Sequence, residues 1–345
     1  MNKGGQITIK DIARELKISP STVSRALKDH PDISQQTKKQ VKELAEKLNY
    51  QPNTLAMGLR QKKSNTIGVI IPEIVHFFFS TVISGIEDVA YSKGYSVIFS
   101  QSGESQERER LNIQEMFNHR VDGYLISVSK NTSDPTHLNA IIEKGIPLVF
   151  FDRAFDGVNC SKVLSDDFTG GYEATKHLLD QGYRRIAHLA GPQNLEISNR
   201  RLEGYKKALM DFGLGIDSNL IFFEEDSSNE EYAYNLTLQL LEKRGRPQAI
   251  FAHNDLAAIG VKSAVKSKGL SIPEDMAIVG FSNWHLTSLT DPPLSTVAQP
   301  GFEIGQQACE LLIKEIESKE TEYIEPETKV LPTELIIRKS SIKPE

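Results

Sequence analysis

Cysteine is almost absent. The 345 residues hold two, Cys160 and Cys309, and neither belongs to a CxxC pair. That speaks against a disulfide scaffold or a cysteine metal centre and fits reduced, structural thiols. Long apolar runs are missing too; none approaches the roughly 20 residues that span a bilayer. The opening stretch "MNKGGQITIKDIAREL" lacks a signal-peptide core, so the expectation is a cytoplasmic protein with no membrane contact. Catalytic signatures are also wanting: there is no GxSxG, P-loop, HExxH or glycine-rich dinucleotide loop. The eight histidines are scattered without ligand spacing, and His188 and His253 read as core residues inside strand patterns. The neighbours Asp166 and Asp167 read as helix caps. The sequence predicts no enzyme, no metal and no cofactor.

What is present is an uneven charge. The total is −6, yet residues 1–60 carry eleven basic against six acidic side chains, a net +5, leaving −11 on the rest. A basic head on an acidic body suggests a polyanion-binding module, although charge alone suits a solvated surface equally well. Hydropathy adds detail. Thr8 can cap a helix whose apolar face is Ile9, Ile12, Ala13 and Leu16. Ser19 and Pro20 read as N-cap and first residue of a second helix, with Val23 and Leu27 buried. Ser21, Thr22, Ser24, Arg25 and Lys28 are left facing out. A third helix starts at Asp32 or Ser34 and buries Val41, Leu44, Ala45 and Leu48. Three such helices form a helix-turn-helix module. Small residues let the second helix approach duplex edges, and Arg25 suits a bidentate contact to guanine. Thr22, Ser24, Ser34, Thr37 and Tyr50 are candidate phosphate donors. Pro52 stops the third helix, and Asn53 can cap a short segment, "TLAMGLR", too short to be helical alone.

The string running from "TIKDIAREL" and "ISPSTVSRAL" to "LNYQPN", with Ala56 and Leu59 beyond, resembles without gaps the head of the lac/gal repressor family. The resemblance implies a hinge helix that orders on DNA and pairs with its dimer mate. Leu59 would be its minor-groove wedge, Ala56 its packing residue and Arg60 a reader of the narrowed groove. The partners implied are double-stranded operator DNA, a small-molecule effector and a second copy of the chain.

From Thr66 onward, nine β-rich runs alternate with amphipathic helices, many ending at glycine, as in "YSKGY" and "LLDQGY". Strand, helix, glycine, strand predicts parallel βαβ units in two doubly wound subdomains. This body resembles the type I periplasmic-binding-protein fold. The expected fold class is thus an all-α head plus an α/β body. Expected bounds are 1–52 for the head, 53–63 for the hinge and 64–345 for the body. The resemblance puts lobe crossings near Ser165–Asp167, Leu294–Gln299 and Val330–Leu331. It gives lobes of about 64–164 with 297–328, and about 166–294 with 331–340.

Ligands of open α/β sheets sit at the carboxyl ends of strands. That singles out Ser127 and Ser129, Asp152, Asn254 and Asp255, and Ser282, Asn283 and Trp284, with Arg201 on the first turn of a helix. Carboxylates, amides and a guanidinium suit a polyhydroxylated ligand, and Trp284 or Phe78 can face a sugar ring. Capping explains any one Asp or Asn as well. By resemblance, Arg201, Asp152 and Asn254 match effector-holding positions, and Ser127 and Phe78 match less closely. Ser282 stands where many family members carry a sugar-binding aspartate. The wording "GFSNWHLTSLTDPPLSTVAQPG" resembles members from Bacteroidota. The body alone also suits a sugar receptor for transport or chemotaxis; the head favours a regulator, in most cases a repressor.

Overall fold

A computed structural model describes residues 7–50, 63–74, 77–223, 230–318 and 324–343. Asn53, Ala56, Leu59 and Arg60 lie outside the described residues. The chain divides into two units, 1–65 and 66–345, each taken here by itself.

The first unit holds α1 (Ile9–Leu16), α2 (Pro20–Leu27) and α3 (Gln35–Lys47). Thr8 closes a capping box with Asp11. Ser19 Oγ accepts from the Thr22 N–H at 3.0 Å, and Ser34 Oγ does the same for Thr37. The third helix therefore starts at Ser34, and Asp32 stays outside it. Lys17 takes the left-handed conformation, φ 54°, and turns α1 into α2. Ile12, Ala13, Val23, Ala26, Val41 and Ala45 form the small core, with Leu27 and Tyr50 packed against it.

The second unit contains two six-stranded sheets. In the first, β1 (Thr66–Ile71), β2 (Ser96–Gln101), β3 (Gly123–Ile126), β4 (Leu148–Phe151) and β5 (Ser161–Ser165) are joined by β11 (Thr328–Leu331), in the order 11-5-4-3-1-2. In the second, β6 (Ile186–Ala190), β7 (Ile221–Phe223), β8 (Ala249–Ala252), β9 (Ala277–Phe281) and β10 (Ser295–Ala298) are joined by β12 (Glu334–Ile336), in the order 12-10-9-8-6-7. All pairings are parallel except β10 with β12. The body helices are α4 (Phe77–Ser92), α5 (Gln106–Asn118), α6 (Thr136–Glu143), α7 (Asp167–Asp180), α8 (Glu196–Asp211), α9 (Glu230–Glu242), α10 (Asp255–Ser267) and α11 (Gly301–Glu317).

Strand membership moves two lobe bounds. β10 pairs with β9, so the second lobe runs on through Ala298 instead of ending at 294. β11 pairs with β5, so the first lobe takes 328–331 and the last crossing falls at Pro332–Thr333. β11 and β12 are short and lie two residues apart with no helix between them, which leaves no strand–helix alternation to read there.

The second lobe owes its shape to two glycines. A Cβ on Gly171 would lie 2.4 Å from the Arg201 carbonyl oxygen, and one on Gly204 would lie 2.2 Å from that of Phe168. Without those Cβ atoms, α7 and α8 pack backbone to backbone, which brings Asp167 and Arg201 together. Gly204→Ala should cost roughly 1–3 kcal/mol through overpacking. Chemical denaturation checks it; an unchanged midpoint would show that the helices can part freely.

Candidate functional site

On the first unit, α2 turns Ser21 and Arg25 outward, and Lys28, just past its end, is exposed as well. Thr22 and Ser24 are half-buried. Several expected phosphate donors also hold the head together. Ser19 Oγ is within 2.6 Å of the Ser21 hydroxyl and 2.8 Å of the Thr22 hydroxyl. Thr8 caps α1, Ser34 and Thr37 share a hydroxyl contact of 2.8 Å, and Tyr50 is half-buried. Pro20 is exposed at the first position of α2.

On the second unit, a cavity of about 150 Å³ opens between the lobes. Six of the expected residues line it: Phe78, Asp152, Arg201, Asn254, Ser282 and Trp284. Asp152 follows β4 directly, in the left-handed conformation with φ 60°, and is buried. Burial pushes its carboxyl up to about 6, partly offset by Arg153 and raised further by Asp167. Arg201 lies on the second turn of α8, one turn later than the sequence suggests. Its Nε and Nη2 both reach Asp167 Oδ1 at 2.7 Å, and Nη1 donates to the His253 carbonyl at 2.6 Å. The guanidinium lies 3.7 Å from the Phe281 ring centre. Asp167 is thus more than a cap, and the Asp167–Arg201 pair holds the floor of the cleft rigid.

Asn254 realises both readings, lining the cavity while its Oδ1 caps α10 through the Ala257 N–H at 2.7 Å. Asp255, though buried, is itself part of the cavity wall. It accepts from Thr296 Oγ1 and from the Trp284 N–H, each at 2.6 Å, so it fixes where the tryptophan sits. Burial pushes its carboxyl up to about 7. Ser127 does not line the cavity. It is fully buried, and its hydroxyl donates to Asp152 from 3.5 Å behind the wall. Ser129 turns away to Glu109 and Ser102. Ser282, with φ 108°, donates to Gln299 Oε1 at 2.9 Å, and Gln299 Nε2 donates to Ser165 Oγ at 3.1 Å. That chain ties the second lobe to the end of β5 in the first. Sequence reasoning missed Arg153, Asp167 and Gln299. A pair of acidic residues before a helix was the one available sign of Asp167.

Two profiles match the chain: "Bacterial regulatory proteins, lacI family" over residues 8–53, and "Periplasmic binding protein-like domain" over 175–341. The HTH-type transcriptional repressor CytR of Escherichia coli is 34% identical over 337 residues, covering 97% of this chain and 96% of CytR. The chain belongs to the lacI family. Among other lacI-family relatives, catabolite control protein A of Priestia megaterium is 34% identical, covering 91% of this chain and 94% of its own. The lac repressor dimer bound to operator and the anti-inducer ONPF superposes with TM-score 0.85 at 26% identity, covering 98% of this chain and all of that one. The CelR–cellobiose complex matches with TM-score 0.73 at 26% identity, covering 97% of this chain and 100% of that one. As a lacI-family protein, the chain is an effector-controlled, DNA-binding transcriptional regulator. Its relatives are regulators and not enzymes. No helix among the described residues is long and apolar enough to cross a membrane.

Proposed function

We propose that the chain acts as a homodimeric repressor on a near-palindromic operator, and that a sugar or sugar derivative bound between the lobes controls it. The observation that carries the effector reading is the inter-lobe cavity, where Asp152, Asn254 and Ser282 face the aromatic side chains Phe78 and Trp284. Acceptors and donors for hydroxyls beside an apolar ring face are what a sugar needs. The chain's single tryptophan lies on that wall. Among similar structures, that of CelR is a complex with cellobiose and that of a LacI family regulator from Enterococcus faecium holds ribose, which supports the class. The wording of residues 280–301 supports kinship with Bacteroidota members.

Operator contact falls to α2, with Arg25 on a base edge and Ser21 and Lys28 on phosphates. Leu59 would wedge the minor groove, with Asn53, Ala56 and Arg60 around it. Ligand binding changes the relative pose of the lobes, and with it hinge pairing across the dimer. Selection from a random duplex library tests the operator claim, because a homodimer must enrich a motif with twofold symmetry. Arg25→Ala should weaken operator binding by about 1–3 kcal/mol and relax one base position in each half-site. An unchanged consensus would remove Arg25 from base reading.

A further inference from the structure

The inter-lobe cleft has a second compartment, and it differs in character from the first. The aromatic cavity, at about 150 Å³, is smaller than ordinary ligand pockets of roughly 300–1,000 Å³. A second space of about 520 Å³ opens beside it, toward the β5–β11 edge of the first sheet. Asp152, Arg153, Leu195 and Ile197 line both, so the two spaces adjoin at these residues. Their linings are unlike. The inner space is walled by Phe77, Phe78, Phe79 and Trp284. The outer one presents short polar side chains, among them Thr132, Asn194 and Asn199.

Arg153 stands at the junction. Glu104 Oε1 accepts from its Nη1 at 2.8 Å, and Glu104 Oε2 accepts from the Lys130 N–H, so the guanidinium is held from behind. The Arg153 side chain is nine-tenths buried, yet its Nε has no hydrogen-bond acceptor among the described residues. Asp152 Oδ2, at 3.8 Å, is too far to be one. A buried donor without an acceptor is costly, and a ligand oxygen at the junction removes that cost.

Charge selects the class of ligand. Five carboxylates and three basic side chains line the outer space, so an anionic group would meet net repulsion there.

Resting on the sugar-effector reading above, we infer that the effector is a neutral two-part polyol, a disaccharide or glycoside. One ring lies against the aromatic wall, the second lies in the outer compartment, and an oxygen between them accepts from the Arg153 Nε–H. Glu104 is a positioning residue for that donor. This accounts for the pairing of a small apolar space with a larger polar one.

The experiment uses the full chain and follows Trp284 fluorescence, which reports on the cleft alone because no other tryptophan is present. The probes are cellobiose, maltose and lactose, their constituents glucose and galactose, and the anions glucose 6-phosphate and glucuronate. The expected result is that at least one disaccharide binds tenfold or more tightly than its monosaccharides, and that the anions do not compete. Arg153→Lys keeps the charge that Glu104 requires but removes the Nε–H. It should weaken disaccharide binding about tenfold or more and monosaccharide binding by less. Asn199→Phe fills the outer space from a half-buried position on α8 and should have the same selective effect. Monosaccharides binding as tightly as disaccharides, anions binding more tightly, or both variants failing to discriminate would overturn the two-part ligand while leaving a sugar site in place. If no sugar of either size changes the fluorescence, the carbohydrate reading itself falls.

Discussion

Replacing Arg201 by methionine together with Asp167 by leucine is expected to give a folded protein that binds its operator and answers no effector. The pair is buried at the floor of the cleft, and Arg201 spends three donor contacts on Asp167 and the His253 carbonyl. Arg201→Ala alone leaves Asp167 buried without its cation. Breaking a buried pair costs about 3–5 kcal/mol, whereas exchanging both partners for apolar side chains is close to neutral. Asp167 already has a raised pKa from burial, so in the single variant it would take up a proton and soften part of that penalty. The double variant therefore separates folding from recognition. Denaturation midpoints should rank wild type and double variant together, with the single variant below. Ligand titration should show no response in either variant. An effector response surviving in the double variant would mean that the guanidinium is only structural, and that Asp152 and Asn254 carry recognition without it.

The contribution of Asp255 to stability should fall as pH rises from 4 to 7, the reverse of the usual behaviour of carboxylates. Asp255 is buried, with a folded pKa of about 7 against an ordinary value of 3.8. Between those values the folded chain keeps the proton that the unfolded chain has released, so each added pH unit favours unfolding. The stability is fully present below the ordinary value, is lost progressively toward pH 7, and changes no further above it. Three units at 1.36 kcal/mol each give up to about 4 kcal/mol from this one group. Asp152, raised to about 6, acts in the same direction over a narrower window. His188 acts the other way: burial holds its imidazole down to about 4, so its contribution to stability rises as pH climbs toward the ordinary value of 6.5. The difference between wild-type and Asp255→Asn guanidinium midpoints at pH 5 and pH 8 isolates the Asp255 contribution. In Asp255→Asn the Asp255 part of the slope should vanish, and the amide can keep both contacts, its Oδ1 accepting from the Trp284 N–H and its Nδ2 donating to the Thr296 hydroxyl. Identical pH profiles in wild type and Asp255→Asn would mean that the bonds from Thr296 and Trp284 keep Asp255 ionised despite its burial.

The head was the most legible part of the molecule. Ser19–Pro20 and Ser34 are local capping signals, and local signals survive in sequence because they act within one helical turn. The first nine strands were equally clear. Strand–helix alternation repeats, and each run is buried or half-buried apart from the two exposed ends of β2. The cleft was legible residue by residue, because strand ends in this architecture converge on it. Six of the seven expected effector residues reach the cavity. The seventh, Ser127, misses it because its side chain is enclosed behind Asp152.

The sequence by itself determined the helical head, the doubly wound body and the strand ends at which a ligand could sit. Those follow from periodicity and capping over short distances. Tertiary structure alone decided that Asp167 belongs to Arg201, 34 positions away, because Gly171 and Gly204 let two helices meet at backbone distance. It also decided that Gln299 bridges Ser282 and Ser165, and that Arg153 is left with an idle donor between two unlike compartments. Pairings over such separations depend on how layers stack, and no local pattern of residues encodes that.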